Sequence, residues 1–197
     1  MPCYAIDGVR PVVHVDAYVH PQAVLIGDVI IEAGVYIAPF ATLRADFGRI
    51  HVQKNANVQD NCVIHGFPNS ITLLEEMAHI GHASILHGCT ICKNALIGIN
   101  STILDHTKIG ENSFVGANSF VKARQTLPSN SLILGNPAQV VRTLKEEEIT
   151  WKIQGTKEYI KLVKRCQNSM RMVEPWTDIA QQQGSYLDFY AIHQTKS

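Results

Sequence analysis

Charge is scarce in this sequence. Asp, Glu, Lys and Arg make up 17% of the 197 residues, and 17 basic side chains balance 17 acidic ones. Without a cationic excess, nucleic acid and a membrane surface are poor partners, because phosphate binding needs a surplus of Lys and Arg. Long apolar runs are missing too, and none approaches the roughly 20 residues that cross a bilayer. The stretch Met1–Gly8 has no basic segment leading into an apolar one, so no export signal is expected. Cys3, Cys62, Cys89, Cys92 and Cys166 are odd in number and show no framework spacing. They read as reduced thiols, which points to a cytoplasmic location. Hydrophobic residues reach 46%. With so little charge, part of the surface is expected to be hidden against a partner.

What is present is a period of six. Val19, Leu25, Ile31, Ile37 and Leu43 follow it, and so do Ile85, Ile91, Ile97, Ile103, Ile109, Val115 and Val121, continuing to Leu127 and Ile133. Six residues are 1.67 helical turns, so a helix would scatter these side chains over several faces. Gly and Asn fill the intervening slots, as in Ile109-Gly110-Glu111-Asn112-Ser113-Phe114. The pattern predicts a prism with three short strands per coil of about 18 residues. One aliphatic per side points inward, and Gly or Asn takes each tight corner. The fold class expected is all-β: a parallel β-helix of hexapeptide repeats, each coil buried against the next.

Between Leu43 and Ile85 the register breaks. Val52, Val58 and Ile64 keep the period, shifted by half a repeat, and residues 66–78 fit no rung. That segment reads as a loop projecting from the prism, a common setting for function. The β-helix is expected over 1–137, a C-terminal helix over 138–174 and a polar tail over 175–197. Thr143 followed by Glu146 suggests a capping box. Ile149, Ile153, Thr156, Ile160, Val163, Gln167 and Met170 give a helical stripe, with Gly155 a candidate bend. The helix is expected along one face of the prism, where it covers exposed strand edges. In the tail, Trp176, Tyr186, Phe189 and Tyr190 are candidates for docking.

His65, His82 and His87 lie where the register is disturbed. Three neutral imidazoles that leave a fourth position for water are the ligand pattern of catalytic Zn²⁺. His65 and His87 are 22 residues apart, one coil plus the leftover of the loop, a separation that allows them to stack. Five residues separate His82 from His87 and carry the chain to a neighbouring side, so these two are not expected to meet in one subunit. His82 would then come from an adjacent prism, which predicts a metal in a subunit interface of a homotrimer. His14, His20, His51, His106 and His193 read as ordinary exposed or hydrogen-bonded histidines, and His79 as a neighbour of the ligand region. Cys89-x-x-Cys92 is an isolated pair, read as structural, with Cys89 inward and Cys92 outward.

Together, the repeat, the three histidines, Arg44-x-Asp46 and Gln59-Asp60 resemble the γ-class carbonic anhydrase family. His65-Gly66-Phe67-Pro68, Leu86-His87-Gly88-Cys89, Asp46-Phe47-Gly48-Arg49-Ile50 and the run from Trp151 to Tyr159 are similar to its phenylacetic-acid-degradation and carnitine-operon branch. The likeness runs from Tyr4 to about Pro175. The resemblance implies a left-handed β-helix trimer with interfacial zinc on His65, His82 and His87. It implies that Arg44 and Asp60 tie neighbouring subunits, with Asp46 in the same network. It also implies that Gln59 hydrogen-bonds the zinc-bound hydroxide and that Asn57 lies nearby. Where the archetypal enzyme has a glutamate after the Asp46 position and an acidic proton-shuttle loop, this chain has Phe47 and Gly66-Phe67-Pro68. Glu75 or Glu76 is a candidate substitute.

A thiolate leaves without protonation, so the missing shuttle matters less for thioester cleavage than for rapid CO2 hydration. The expected activity is therefore that of a zinc-dependent thioesterase on CoA thioesters of phenylacetate degradation, with metal-bound hydroxide as nucleophile. Iron or cobalt also suits imidazole. The alternatives are carbonic anhydrase acting on CO2 and bicarbonate, a hexapeptide-repeat acyltransferase, or a non-enzymatic accessory protein of a phenylacetate or carnitine operon.

Overall fold

The computed structural model describes residues 2–182 together with Gly184. Three columns of short parallel strands form a triangular prism. The first face stacks Tyr18–Val19, Tyr36–Ile37, Asn57–Val58, His79–Ile80, Leu96–Ile97, Phe114–Val115 and Ser131–Gly135. The second carries Val63–His65, Ile85–His87, Thr102–Ile103 and Phe120–Val121. The third carries Ile71–Leu74, Thr90–Ile91, Lys108–Ile109 and Thr126–Leu127. Two long strands, Val24–Ile31 and Thr42–Val52, run round the corner between the second and third faces and pair on both.

The interior is the aliphatic ladder that the six-residue period predicts. Leu25, Ile37, Leu43, Val58, Ile97, Ile103, Ile109, Val115, Val121 and Ile133 are all fully buried in one cluster. Each such side chain contributes roughly 1.5–3 kcal/mol of burial against the coils on either side. Corners need φ > 0, where a Cβ is costly and Asn is the best-tolerated residue after Gly. Asn55, Asn61, Asn94, Asn100, Asn112, Asn118 and Asn130 all take it. Their amides stack as well: Asn94 donates to Asn112 at 2.8 Å and Asn112 to Asn130 at 3.0 Å.

Several expectations need correction. The inward row does not begin at Ile85, which is 46% exposed, but at Leu86, which is fully buried. The step from Leu86 to Ile91 is one residue short because the corner after His87 is closed by Gly88 at φ +54. Residues 66–78 do not project as one loop. Ile71–Leu74 is a rung of the third face, paired with Arg49–Val52 on one side and Thr90–Ile91 on the other. The remaining excursion, 66–70, folds back on the preceding coil. Arg49 N–H donates to Ser70 O at 3.0 Å, and a Cβ on Gly48 would lie 2.4 Å from that same oxygen.

The C-terminal helix is shorter than the expected 138–174. Ala138–Thr143 instead forms a strand antiparallel to Ser131–Gly135, as its β-branched residues favour. Helix α1 then runs without a break from Glu146 to Ser169, through Gly155. Its N-cap is Lys145 rather than Thr143, and the Glu148 carboxylate accepts from the Lys145 N–H at 2.8 Å. The buried stripe is Lys152, Thr156, Val163 and Cys166, part of it polar, and Ile149, Ile153 and Ile160 lie only half-buried beside it. Val163 and Cys166 pack on Tyr18, Tyr36 and Ala38 of the first face. Trp176 is exposed, and Tyr186, Phe189, Tyr190 and His193 lie outside the described residues. Cys92, expected outward, is buried like Cys89, whose thiol burial pushes up to about 12.

Candidate functional site

The corner between the second and third faces collects His65 and His87 on adjacent coils. They are register partners in the parallel pair Val63–His65 and Ile85–His87. His65 Nδ1 lies 3.0 Å from His87 Nε2, and the ring centroids are 4.9 Å apart. The outer nitrogen of each ring meets a carboxylate. His65 Nε2 is 2.8 Å from Asp46 Oδ1, and His87 Nδ1 is 2.5 Å from Asp105 Oδ1. Asp46, His65, His87 and Asp105 thus form one line across four coils. Burial would raise the Asp46 carboxyl, but hydrogen bonds from His65 and Arg44 outweigh it and hold the group below its usual range. Phe47 stands 5.5 Å from the His65 ring and Phe67 5.2 Å from that of His106, giving the corner an apolar rim.

His82 occupies the other edge of the second face, at the corner entering Ile85–His87. Its Nδ1 is 2.7 Å from Asp60 Oδ2, which leaves Nε2 as the nitrogen not facing that carboxylate. The next residue, Ala83, is held at φ +58. The corner at His82–Ala83 and the strand Ile85–His87 separate His82 from the His87 end of the face. Among the described residues, no three His, Cys, Asp or Glu side chains gather round one point.

The separation of the stacked nitrogens is a hydrogen-bond distance and also lies near that of two ligands on one metal. Two nitrogens bound at 2.0–2.1 Å to a tetrahedral ion are roughly 3.3 Å apart, close to the 3.0 Å observed here. Carboxylates behind the rings are the usual support of metal-binding histidines, and each of the three candidates has one.

The other expected residues make these contacts within one chain. Arg44 turns to Asp46 of its own chain at 2.5 Å, while Asp60 holds His82 at the opposite edge. Gln59 and Asn57 are buried on the first face. The Gln59 amide donates to Asn57 Oδ1 at 3.1 Å and lies 2.6 Å from His79 Nε2, so within one chain it does not reach His65 or His87. Glu75 and Glu76 occupy the third corner, remote from both histidine groups. Glu75 accepts from the Lys93 N–H, and Glu76 pairs with Lys93 and Lys54. Neither is placed to replace the missing shuttle.

Two groups lie outside the sequence motifs. Asp105 is 18 residues after His87, one coil on, and that offset was a usable signal. The other is a buried polar cluster under α1. Lys152 Nζ donates to Met77 O at 2.5 Å and to Asn94 Oδ1 at 2.8 Å. Burial pushes its pKa down to about 7. His79 is pushed down to about 3 by burial, helped by the charges of Lys152 and His82.

The coils, the Asn corners and the aliphatic ladder define a parallel β-helix protein of the hexapeptide-repeat class. Residues 88–123 match the family described as Bacterial transferase hexapeptide (six repeats). The chain belongs to the CaiE family of carnitine operon proteins. It is 51% identical over 175 residues to carnitine operon protein CaiE of Escherichia coli O7:K1 (strain IAI39 / ExPEC), covering 89% of each chain. Among solved structures, it is similar to a hexapeptide transferase family protein from Anaplasma phagocytophilum, with TM-score 0.80 and 33% identity over 83% of this chain and 97% of that one. It is also similar to the Bacillus cereus BC4754 gene product, with TM-score 0.83 and 32% identity over 84% of this chain and 96% of that one.

Proposed function

We propose that this chain is a homotrimeric β-helix protein that holds a divalent cation at each subunit seam, in the manner of the γ-class carbonic anhydrases. Zinc is the first candidate, and iron or cobalt also suits the imidazoles. One observation carries the reading: three imidazoles, each backed by a carboxylate, stand at opposite edges of a single face. A head-to-tail contact sets one edge of a copy against the opposite edge of the next, and a contact that closes after three copies gives three equivalent seams. Val63 and Ile85, 44% and 46% exposed between those edges, supply the apolar surface that such a contact covers.

When bound, a divalent ion supplies Lewis acidity, polarising a carbonyl and making water acidic near neutral pH. The chain's own residues hold and shield the site. Asp46, Asp105 and Asp60 fix the rings, and Phe47 and Phe67 give the corner an apolar rim. Among the described residues, no acidic side chain stands ready as a proton carrier beside the His65–His87 pair, since Asp46 and Asp105 are committed to the rings. That favours a leaving group that departs as an anion, and so hydrolysis of a CoA thioester over hydration of CO2. The test is release of free thiol from acyl-CoA by zinc-loaded protein. Release above that of His82→Ala supports the proposal, and release equal to it overturns the hydrolase.

A second reading has its own support. The relatives are named for an operon rather than a reaction, and residues 88–123 match a transferase repeat. An accessory protein, or an acyltransferase that works without metal, fits those names better than a hydrolase does. Acyl transfer that survives chelation favours the acyltransferase. A metal-loaded trimer silent towards acyl-CoA and CO2 favours the accessory role.

A further inference from the structure

We propose that Asp105 is a positioning residue: it fixes the ring proton of His87 on Nδ1 and so offers Nε2 to the seam. The inference rests on the reading of the seam as a cation site and says how the chain prepares it.

The placement of Asp105 is built into the backbone. His106 N–H donates to Gly88 O at 2.8 Å, and Arg124 N–H donates to Asp105 O at 2.8 Å, so the Asp105–His106 corner is pinned from both sides. Gly88 leaves the carboxylate room to close on the ring. A Cβ there would sit 2.6 Å from Asp105 Oδ1, and φ +54 disfavours one in any case. A carboxylate oxygen accepts, so the nitrogen that meets it carries the hydrogen. His87 is then the Nδ1–H tautomer. By the same argument Asp46 makes His65 the Nε2–H tautomer.

The two nitrogens left over, His65 Nδ1 and His87 Nε2, face each other at 3.0 Å with a lone pair apiece. Two lone pairs at that distance repel unless something positive lies between them. The outer carboxylates therefore turn an ordinary histidine pair into a cation site, and they choose its donor atoms.

Asp105→Asn tests this, because the amide has the same shape and can donate. It would give a hydrogen to His87 Nδ1 and drive the ring proton to Nε2, closing the donor. Long-range ¹H–¹⁵N NMR on metal-free trimer reads the tautomer directly. The expected result is Nδ1–H in wild type and Nε2–H in Asp105→Asn, with zinc affinity down about 10–100-fold in the variant and trimer mass unchanged. Asp105→Glu, which can only accept, is expected to recover the Nδ1–H signature, which a purely structural role would not require. An Nε2–H His87 in wild type, or zinc binding by Asp105→Asn at wild-type strength, overturns the proposal. If the wild-type trimer takes up no zinc, the seam reading fails, and the tautomer pair alone still decides the role of Asp105.

Discussion

His65 and His87 are neighbours through the coil, not through the sequence: 22 residues apart, they place Nδ1 and Nε2 3.0 Å from each other. One coil of the prism with the short excursion 66–70 accounts for that separation. The excursion delays the chain just long enough for His87 to return beneath its register partner.

The Asn ladder makes a stability prediction. Asn112 takes a left-handed corner and its amide bonds both Asn94 and Asn130. Asn112→Ala removes both bonds and puts a Cβ-bearing residue with no compensating amide at φ > 0. A loss of about 1–2 kcal/mol is expected in urea unfolding. Asn112→Gly, which relieves the backbone, is expected to lose less. Equal losses would mean that the backbone contributes nothing.

Lys152 makes a prediction about pH. Its folded-state pKa is lowered to about 7, against an ordinary value of 10.5, with burial as the cause. Between those values the unfolded chain binds the extra proton. Stability from this group is therefore full above the unfolded value and is lost as pH falls towards 7. Wild type is expected to gain stability relative to Lys152→Met between pH 7 and 8.5, by at most about 1.4 kcal/mol per pH unit. Parallel pH profiles of the two proteins would remove Lys152 from the account.

Thiol reactivity follows burial. Cys3 is exposed, while Cys62, Cys89, Cys92 and Cys166 are buried. Burial also raises the Cys62 thiol, to about 11. One thiol per chain is expected to react promptly with an aromatic disulfide in native protein, and all five after unfolding. Prompt reaction of Cys89 would contradict the packed interior.

Much of this was legible in the residues. The ladder from Ile91 to Ile133 and the Asn corners follow from one steric rule repeated every six positions. Counting coils allowed the stacking of His65 on His87. What failed was local. A shortened corner shifts the register by one between Ile85 and Leu86, and hydropathy cannot distinguish two adjacent aliphatics. Residues 71–74 looked like loop because Ile71-Thr72-Leu73-Leu74 re-enters the third face after an irregular gap. On α1 the apolar spacing hid a polar burial: Lys152 is inside because Met77 O and Asn94 Oδ1 receive it, and no sequence period encodes that. Gln59 bonds Asn57 and His79 on the first face, partners that no motif spacing shows.

Mixed trimers test the shared seam most directly. His65→Ala and His82→Ala each destroy every seam in a homotrimer, but by opposite edges. Unfolded together and refolded at equal concentration, they form seams at random, and about one in four joins the intact His82 edge of one copy to the intact His65–His87 edge of the other. Zinc content is predicted to rise from near zero in each variant alone to about a quarter of wild type in the mixture. Zinc that stays near zero on mixing, or that binds fully to either variant alone, would contradict a site divided between subunits.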